Sequence, residues 1–438
     1  MAISPIHTKY MFFFCYNILS LFLLIPVCIY HFYRSASRGR KAAFGERFGF
    51  IPAVHRLRKG DRPVIWLHAV SVGETIAARP LLKALRSHYP DHAIAFSCTT
   101  ETGRSLAEGY AEQDLCFYFP FDFLPAVSRA LDTIRPRLII IMETEIWPNF
   151  TRQAALRGIP VLLANGRISD RSFPRYLRFS WFFRQALQYF AALCMQTETD
   201  RQRITAIGAA LERTITAGNL KYDIPSRLIE PEERLALRRQ YGVPEDCCVL
   251  VAGSTHPGEE EQIVPVYRAL LKEGFSLFLV LVPRHPERGG EVEMQLRHDG
   301  FNSRRRSGCS DYQEPQSPGE VLLVDTIGEL MKLYALADLI FVGGSLVPTG
   351  GHNLLEPASV GVPSLFGPHM TNFREITALV LQYGAGIQVD SPDGLHSACR
   401  EMITCPDLRS VLGQNGLKLL RDSGGATRRH MEVVTSYL

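Results

Sequence analysis

The ten cysteines of this 438-residue chain form no Cys-x-x-Cys pair, and only Cys247 and Cys248 are adjacent, so neither a zinc site nor a disulfide framework is indicated. A reducing compartment fits that usage. Net charge is also scarce: 48 Lys and Arg against 44 Asp and Glu leave a formal +4, far from the concentrated basic face of a nucleic-acid binder. Any anionic partner is therefore recognised locally. There is no Asp-x-Asp-like carboxylate pair and no His/Cys cluster of the kind that holds a metal against a nucleotide. Internal repeats and long low-complexity tracts are missing too. What remains, 46% hydrophobic and 21% charged, suits a globular protein too long for one core, and two domains are expected.

One segment stands apart. Tyr10 to Tyr33 is almost wholly apolar, interrupted by Asn17, Ser20, Pro26 and His31, and its 24 positions reach across a bilayer core of ~30 Å at ~1.5 Å each. A cleaved signal peptide is the plainer alternative, but the run is long for one and no small-x-small cleavage site follows. Arg34, Arg38, Arg40 and Lys41 follow the run and only Lys9 and the amino terminus precede it, so a retained single-pass anchor would leave the body in the cytoplasm, at the inner membrane face.

Beyond the anchor and basic connector (1–40), short apolar runs alternate with helical patterns, the mark of parallel sheets with helices on both faces. Strands are expected at 64–68, 93–98, 138–142, 160–164, 193–197 and 214–217. After a polar, proline-containing linker at 221–235 they resume at 248–253, 277–282, 321–324, 339–343, 363–366 and 386–389. The fold class is thus α/β, with Rossmann-like doubly wound domains at 41–220 and 236–438. Such a pair binds ligands at the carboxyl ends of its strands, across a cleft. The polar tract 304–318 reads as an exposed loop.

Chemistry concentrates where strands end. His68-Ala69-Val70-Ser71-Val72-Gly73-Glu74 runs a buried strand into a small-residue turn closed by a carboxylate, with Pro80 implying that the next helix is kinked or begins late. Glu74 is either a site carboxylate or an acid complementing a helix dipole. Glu143 and Glu145, in Met142-Glu143-Thr144-Glu145-Ile146-Trp147-Pro148-Asn149, sit at the tip of another strand, where they would orient a hydroxyl, fix a lysine or cap a helix. Lys221 is the available cation, or a solvated surface lysine. Residues 165–184 interleave Arg167, Arg171, Arg175, Arg178 and Arg184 with large apolar side chains, which fits either a lipid interface gripped by guanidinium groups or an amphipathic helix packed on its own domain.

The second half carries the anion-binding features. Ser254 and Thr255 lie in a strand-to-helix turn, Pro283 and Arg284 end the next strand, and Gly343-Gly344-Ser345 leads to Gly350-Gly351-His352-Asn353-Leu354-Leu355-Glu356. Glycines admit a ligand close to the backbone, a helix opening near His352 would aim its N–H groups at a phosphate, and Arg284 offers a guanidinium fork. Glu356, one turn in, would accept hydrogen bonds from ribose hydroxyls. Together these resemble the nucleotide-sugar site of two-domain glycosyltransferases of GT-B architecture.

Taken in order, the segments 68–74, 142–149, 165–172, 218–223, 254–260, 283–288 and 343–356 resemble the 3-deoxy-D-manno-octulosonic acid (Kdo) transferase family, and the resemblance spans most of the chain. It implies an inverting transfer of Kdo from CMP-Kdo to a lipid A precursor (lipid IVA) at the membrane surface; with no residues patterned to hold a metal against the nucleotide, a transfer without metal or cofactor is expected. Glu74 would be the catalytic base, and Glu143 or Glu145 with Lys221 would organise the acceptor side. Arg284, Gly328, Glu329, Asn353 and Glu356 would hold CMP, with Ser254 and Thr255 lining the donor site. Gly166, Pro257 and Tyr222 depart from the alanine, glutamate and phenylalanine expected there. Two rivals stay open at this point: another GT-B nucleotide-sugar enzyme such as an epimerase, and a noncatalytic membrane protein binding nucleotide or lipid.

Overall fold

The computed structural model describes residues 5–36, 43–57, 61–308 and 316–438. The charges on which the expected orientation rests, Lys9, Arg34, Arg38, Arg40 and Lys41, fall outside the described side chains. The chain divides into two compact units, 1–223 with 424–438, and 224–423.

The first unit is built on seven strands: β1 (Val64–Ala69), β2 (Ala93–Cys98), β3 (Leu115–Tyr118), β4 (Pro136–Met142), β5 (Val161–Gly166), β6 (Ala192–Met195) and β7 (Thr214–Thr216). They pair in parallel in the order β3-β2-β1-β4-β5-β6-β7. A parallel sheet covered on both faces needs apolar residues at successive positions, and β4 supplies them. Leu138, Ile140 and Met142 join one buried cluster while Ile139 and Ile141, with Trp66 and Phe150, join the other. Truncating one of these isoleucines to alanine would cost about 2–5 kcal/mol.

The second unit repeats the plan with β8 (Cys248–Thr255), β9 (Leu277–Pro283), β10 (Ser303–Arg305), β11 (Val321–Leu323), β12 (Leu339–Val342), β13 (Ser364–Phe366) and β14 (Gly386–Gln388), in the order β10-β11-β9-β8-β12-β13-β14. Leu250, Ala252, Leu279, Leu281 and Phe341 anchor its core. In each sheet, strand order reverses beside the first strand, between β1 and β4 and between β8 and β12. Ligands of doubly wound sheets gather at the carboxyl ends on either side of that reversal.

Four expectations need correction. β3 was missed because it is only four residues long, and β10 because it is a polar three-residue edge strand with no apolar signature; it occupies the start of the stretch read as a loop, whose residues 309–315 are outside the described ones. Of the two readings left open by Pro80, the late start is excluded and the interior proline remains, since the helix Val72–His88 begins at Val72, ahead of Glu74, and carries Pro80 within it. The helix expected to open near His352 is the short Leu355–Ser359. Finally, the end of the chain does not stay with the second domain. The helix Ala426–Thr435 packs on the first unit through Ala426, Met431 and Val434, with Arg429 donating to the Ala217 carbonyl at 2.8 Å.

The N-terminal helix Pro5–Ala36 includes Met11–Tyr33, a stretch long and apolar enough to cross a membrane.

Candidate active site

Glu74 lies at the carboxyl end of β1, in the first turn of the helix Val72–His88, and is 8% exposed. Its carboxylate accepts hydrogen bonds from the Val70 backbone N–H at 2.7 Å and the Ser71 hydroxyl at 3.1 Å, much as in a capping box. The helix-dipole reading of this residue is therefore part of the truth. Burial nonetheless dominates: it pushes the carboxyl up to about 7, the Val70 N–H draws it back, the Glu143 charge raises it again, and Ser71 and Lys221 lower it.

Glu143 and Glu145 follow β4, on the other side of the strand-order reversal. Glu143 sits in the left-handed region at φ 55°, an unusual conformation for a glutamate and one that costs energy. Its N–H is held by the Ala164 carbonyl at 2.8 Å and its carboxylate lies 3.6 Å from the Lys221 ammonium. Glu145 is also pushed up to about 7, by burial first and then by Glu74 and Glu143. Three carboxylates and one ammonium thus meet at one sheet edge. Two of the acids are held near neutrality, the range in which a carboxyl exchanges protons at physiological pH.

Lys221 is positioned from a distance. The His430 ring on the last helix donates from Nδ1 to the Ala426 carbonyl at 2.7 Å, leaving Nε2 to accept the Asn165 N–H at 3.0 Å. Asn165, itself at φ 57°, accepts the Leu220 N–H on its side-chain oxygen at 2.9 Å, next to Lys221. No local pattern reveals this chain of contacts, because His430 and Asn165 are 265 residues apart.

Arg167 and Arg171 are exposed on the segment after β5. The Arg167 N–H donates to the Thr144 hydroxyl at 3.1 Å, tying this loop to the one bearing the acids, whereas among the described residues nothing joins Arg171 to the carboxylates. The aromatic and arginine-rich stretch forms two short helices, Phe173–Arg178 and Ser180–Leu187. Tyr176 on the first lies close enough to Glu145 for that charge to add to the effect of burial in raising its hydroxyl pKa. An alanine at Gly166 would bring a Cβ within 2.6 Å of the Met195 sulfur, a flexible neighbour that has to yield. His68 turns inward instead, stacking on Phe119 at 3.8 Å between ring centres, and burial holds it neutral, down to about 3.

In the second unit most of the expected donor residues gather at the carboxyl ends of β8, β9 and β12, while Gly328 and Glu329 follow β11. Arg284 is exposed just past β9, its N–H donating to the Thr255 carbonyl at 2.9 Å. Pro283 is buried at the end of the strand. Burial raises the Glu356 carboxyl, while Asn353 and Arg284 draw it down, which brings these three residues together. Gly350 has φ 105°, and a Cβ there would lie 2.2 Å from the Asn372 side chain, so only glycine fits. Gly351 donates to the Gly344 carbonyl at 2.7 Å. Asn353 accepts the Leu355 N–H at 3.1 Å, fixing the entry to the short helix that carries Glu356.

Two expected residues, Thr255 and Glu329, are more occupied than the sequence implies. Thr255 donates to Glu260 at 2.8 Å, and Glu260, fully buried, is also paired with Arg288 at 2.9 Å. Ser254 holds φ 58° at the bend. Glu329, next to Gly328, accepts from the Tyr241 hydroxyl at 3.0 Å, from Arg306 at 3.2 Å and from Thr326; these bonds outweigh burial and hold its carboxyl below the usual range.

Sequence reasoning missed two features. Glu259, fully buried, accepts the N–H groups of His256, Gly344, Ser345 and Leu346 at 2.6–2.9 Å, so those donors of the glycine turn serve the protein itself. His256 and His352 stack with their Nε2 atoms 3.0 Å apart, and His285 lies 6.0 Å from the His256 ring. Burial, then the neighbouring histidine and Arg284, hold His352 down at about 4. Among the described residues no group of three His, Cys, Asp or Glu side chains is placed to hold a metal ion.

Comparison with known proteins decides the family. The sequence family described as 3-deoxy-D-manno-octulosonic-acid transferase (kdotransferase) matches residues 42–224, nearly the whole first unit without its N-terminal helix. The 3-deoxy-D-manno-octulosonic acid transferase of Haemophilus influenzae is 35% identical over 376 residues, covering 85% of this chain and 87% of the relative. The chain belongs to the Kdo transferase family. It is a glycosyltransferase of Kdo that serves lipopolysaccharide biosynthesis. Among solved structures, Acinetobacter baumannii MurG (TM-score 0.51, 14% identity, 86% of this chain and 99% of that one) is similar in fold. So is a UDP-GlcNAc 2-epimerase from Neisseria meningitidis (TM-score 0.52, 14% identity, 85% and 100%). Both likenesses show the GT-B fold of this transferase and nothing about its substrate.

Proposed function

We propose that this Kdo transferase takes CMP-Kdo as donor and a lipid A precursor, lipid IVA, as acceptor, in a single inverting displacement that needs no metal. Glu74 carries the reading. It is a buried carboxyl held near neutrality at the carboxyl end of β1, beside two further acids and a lysine. As general base, Glu74 takes the proton of an acceptor hydroxyl, whose oxygen attacks the anomeric carbon of Kdo as CMP leaves. General-base help of this kind contributes roughly 10²- to 10⁴-fold.

Glu143 and Lys221 hold the acceptor side, where Arg167 and Arg171 supply positive charge for an anionic lipid headgroup. In the second unit Arg284, with Gly350, Gly351, Asn353 and Glu356, binds the nucleotide, and Arg284 stabilises charge on the departing phosphate. Ser254, Thr255, Gly328 and Glu329 shape that pocket, Thr255 and Glu329 being fixed by side-chain bonds within the protein. The N-terminal helix attaches the enzyme to the inner membrane, with the catalytic body on the cytoplasmic side.

The test is to incubate purified protein with a tetraacylated lipid A precursor and CMP-Kdo generated in situ, and to follow the lipid by mass spectrometry beside a Glu74→Gln variant. Addition of one or more Kdo units by the parent, with a loss of at least a hundredfold in a folded variant, is expected. A folded Glu74→Gln protein that keeps full activity removes Glu74 from the mechanism, and a parent that modifies only another acceptor removes lipid IVA.

A further inference from the structure

The N-terminal helix does not stand clear of the first unit. Phe12 packs on Phe182 at 5.3 Å and on Trp181 at 6.4 Å between ring centres. Phe13, 2% exposed, lies against Tyr189 and beneath the Arg152 guanidinium, 4.3 Å from its ring centre. Next along the helix is a polar junction. The Tyr16 hydroxyl donates to Asp122 at 2.7 Å, and Asn149 donates from its side chain to Asn17 at 2.9 Å. The same Asp122 carboxylate accepts the backbone N–H groups of Asn149 and Phe150, at 3.0 and 2.8 Å, which open the helix Pro148–Leu156. Farther on, the His31 ring meets Phe121 at 5.4 Å.

Phe12 and His31 are 19 residues apart, about 28 Å along a helix, which is nearly the whole ~30 Å thickness of a hydrocarbon core. The less exposed positions Phe13, Tyr16, Ser20, Leu24, Cys28 and His31 recur at three- and four-residue steps, so they share one face, and that face meets the protein near both ends of the run. The opposite face is open and apolar: Phe14, Leu21, Phe22, Ile25, Ile29 and Phe32 are each at least half exposed. A helix crossing the bilayer upright in this arrangement would drag Asp122, Asn149 and Arg152 into hydrocarbon, and charged groups there are costly.

We infer that this helix is a monotopic anchor, lying in the plane of the membrane against the first unit with its outer face sunk among lipid chains. The inference rests on the membrane attachment proposed above and adds its geometry. The occupant of the open face is a bilayer carrying anionic lipid, and the surface beside the helix says so. Leu177, Phe179 and Trp181 continue the apolar strip from the Phe12 contact, and Arg175, Arg178 and Arg184, all exposed, alternate with them. This is the pattern that lets apolar side chains enter the headgroup boundary while guanidinium groups hold phosphates.

Full-length protein bearing a protease-sensitive epitope at its N-terminus is expressed in a Gram-negative host, and spheroplasts are treated with protease from outside. A helix lying in the plane keeps the epitope on the cytoplasmic side, so it survives until the membrane is permeabilised. Removal from intact spheroplasts would establish a span and overturn the inference while leaving membrane attachment intact; recovery of the protein in the soluble fraction would overturn both. A photoreactive benzoylphenylalanine placed at Phe12 or Phe22 gives a second readout. Position 12 should cross-link to the 180–189 segment of the same chain and position 22 to phospholipid, whereas lipid adducts at both positions would dismiss the docking.

Discussion

Neutralising Glu143 should move the acid limb of the pH profile toward lower pH, and the direction follows from the charges around Glu74. With its carboxyl held at about 7, mainly by burial, only about one Glu74 in ten is ionised at pH 6, so with Glu74 as the base kcat/KM there should fall about tenfold below its plateau. Glu143→Gln removes a negative neighbour of Glu74. It also releases Lys221 from its 3.6 Å partner, so that more of the ammonium's attraction falls on Glu74. Both changes favour the ionised base, and a shift of roughly half to one pH unit is expected, ~0.7–1.4 kcal/mol. Lys221→Met acts in the opposite sense, since the remaining charges are all negative, and the limb moves to higher pH. The assay is kcat/KM at low acceptor concentration from pH 5 to pH 9, with CMP-Kdo regenerated throughout and lipid products counted by mass spectrometry. Glu145→Gln is the control, because its carboxyl is also held at about 7 and competes for the assignment. Limbs that stay in place in both Glu143→Gln and Lys221→Met, or that follow Glu145 instead, would refute the argument for Glu74.

The same carboxyls couple stability to pH. Their folded values lie above the ordinary ~4.5, so protonation favours the folded first unit; the contribution is complete below about 4.5 and is lost as pH rises through about 7. Glu74 accounts for on the order of 3 kcal/mol of this, and a Glu74→Gln protein should show a flatter dependence of denaturation midpoint on pH across that window. In the second unit, Glu259→Ala strands the N–H groups of Gly344, Ser345 and Leu346, and a loss of about 2–5 kcal/mol is expected in denaturant titration, together with weaker CMP binding by calorimetry. Turnover should persist in excess chelator; complete loss, restored by Mg²⁺, would end the metal-independent mechanism.

Much of the fold is legible in the residues because it rests on local pattern. Two-faced burial forces unbroken apolar runs such as 138–142, and the polar residues that interrupt them, Glu143 and Arg284 directly and Glu74 after a small-residue turn, mark where such strands stop. The strand-order reversals then bring those ends to one edge of each sheet. Two edge strands escape the same reading: Ser303–Arg305 is three polar residues, and Leu115–Tyr118, though largely buried, is too short to show a period.

By itself, then, the sequence determined the α/β class, the two-sheet plan, the apolar N-terminal helix and the identity of the acids and cations at the strand ends, since each depends on neighbours within a few residues. Tertiary structure alone decided the rest. It returned the last helix to the first unit, where His430 and Asn165 fix the chain before Lys221. It aimed Glu259 at a glycine turn 85 residues away, and laid the N-terminal helix along the protein through Asp122. It also set how strongly burial works on Glu74 and Glu145. A carboxyl's proton affinity depends on how much water is excluded around it and on which charges approach it, and both are properties of the packed chain.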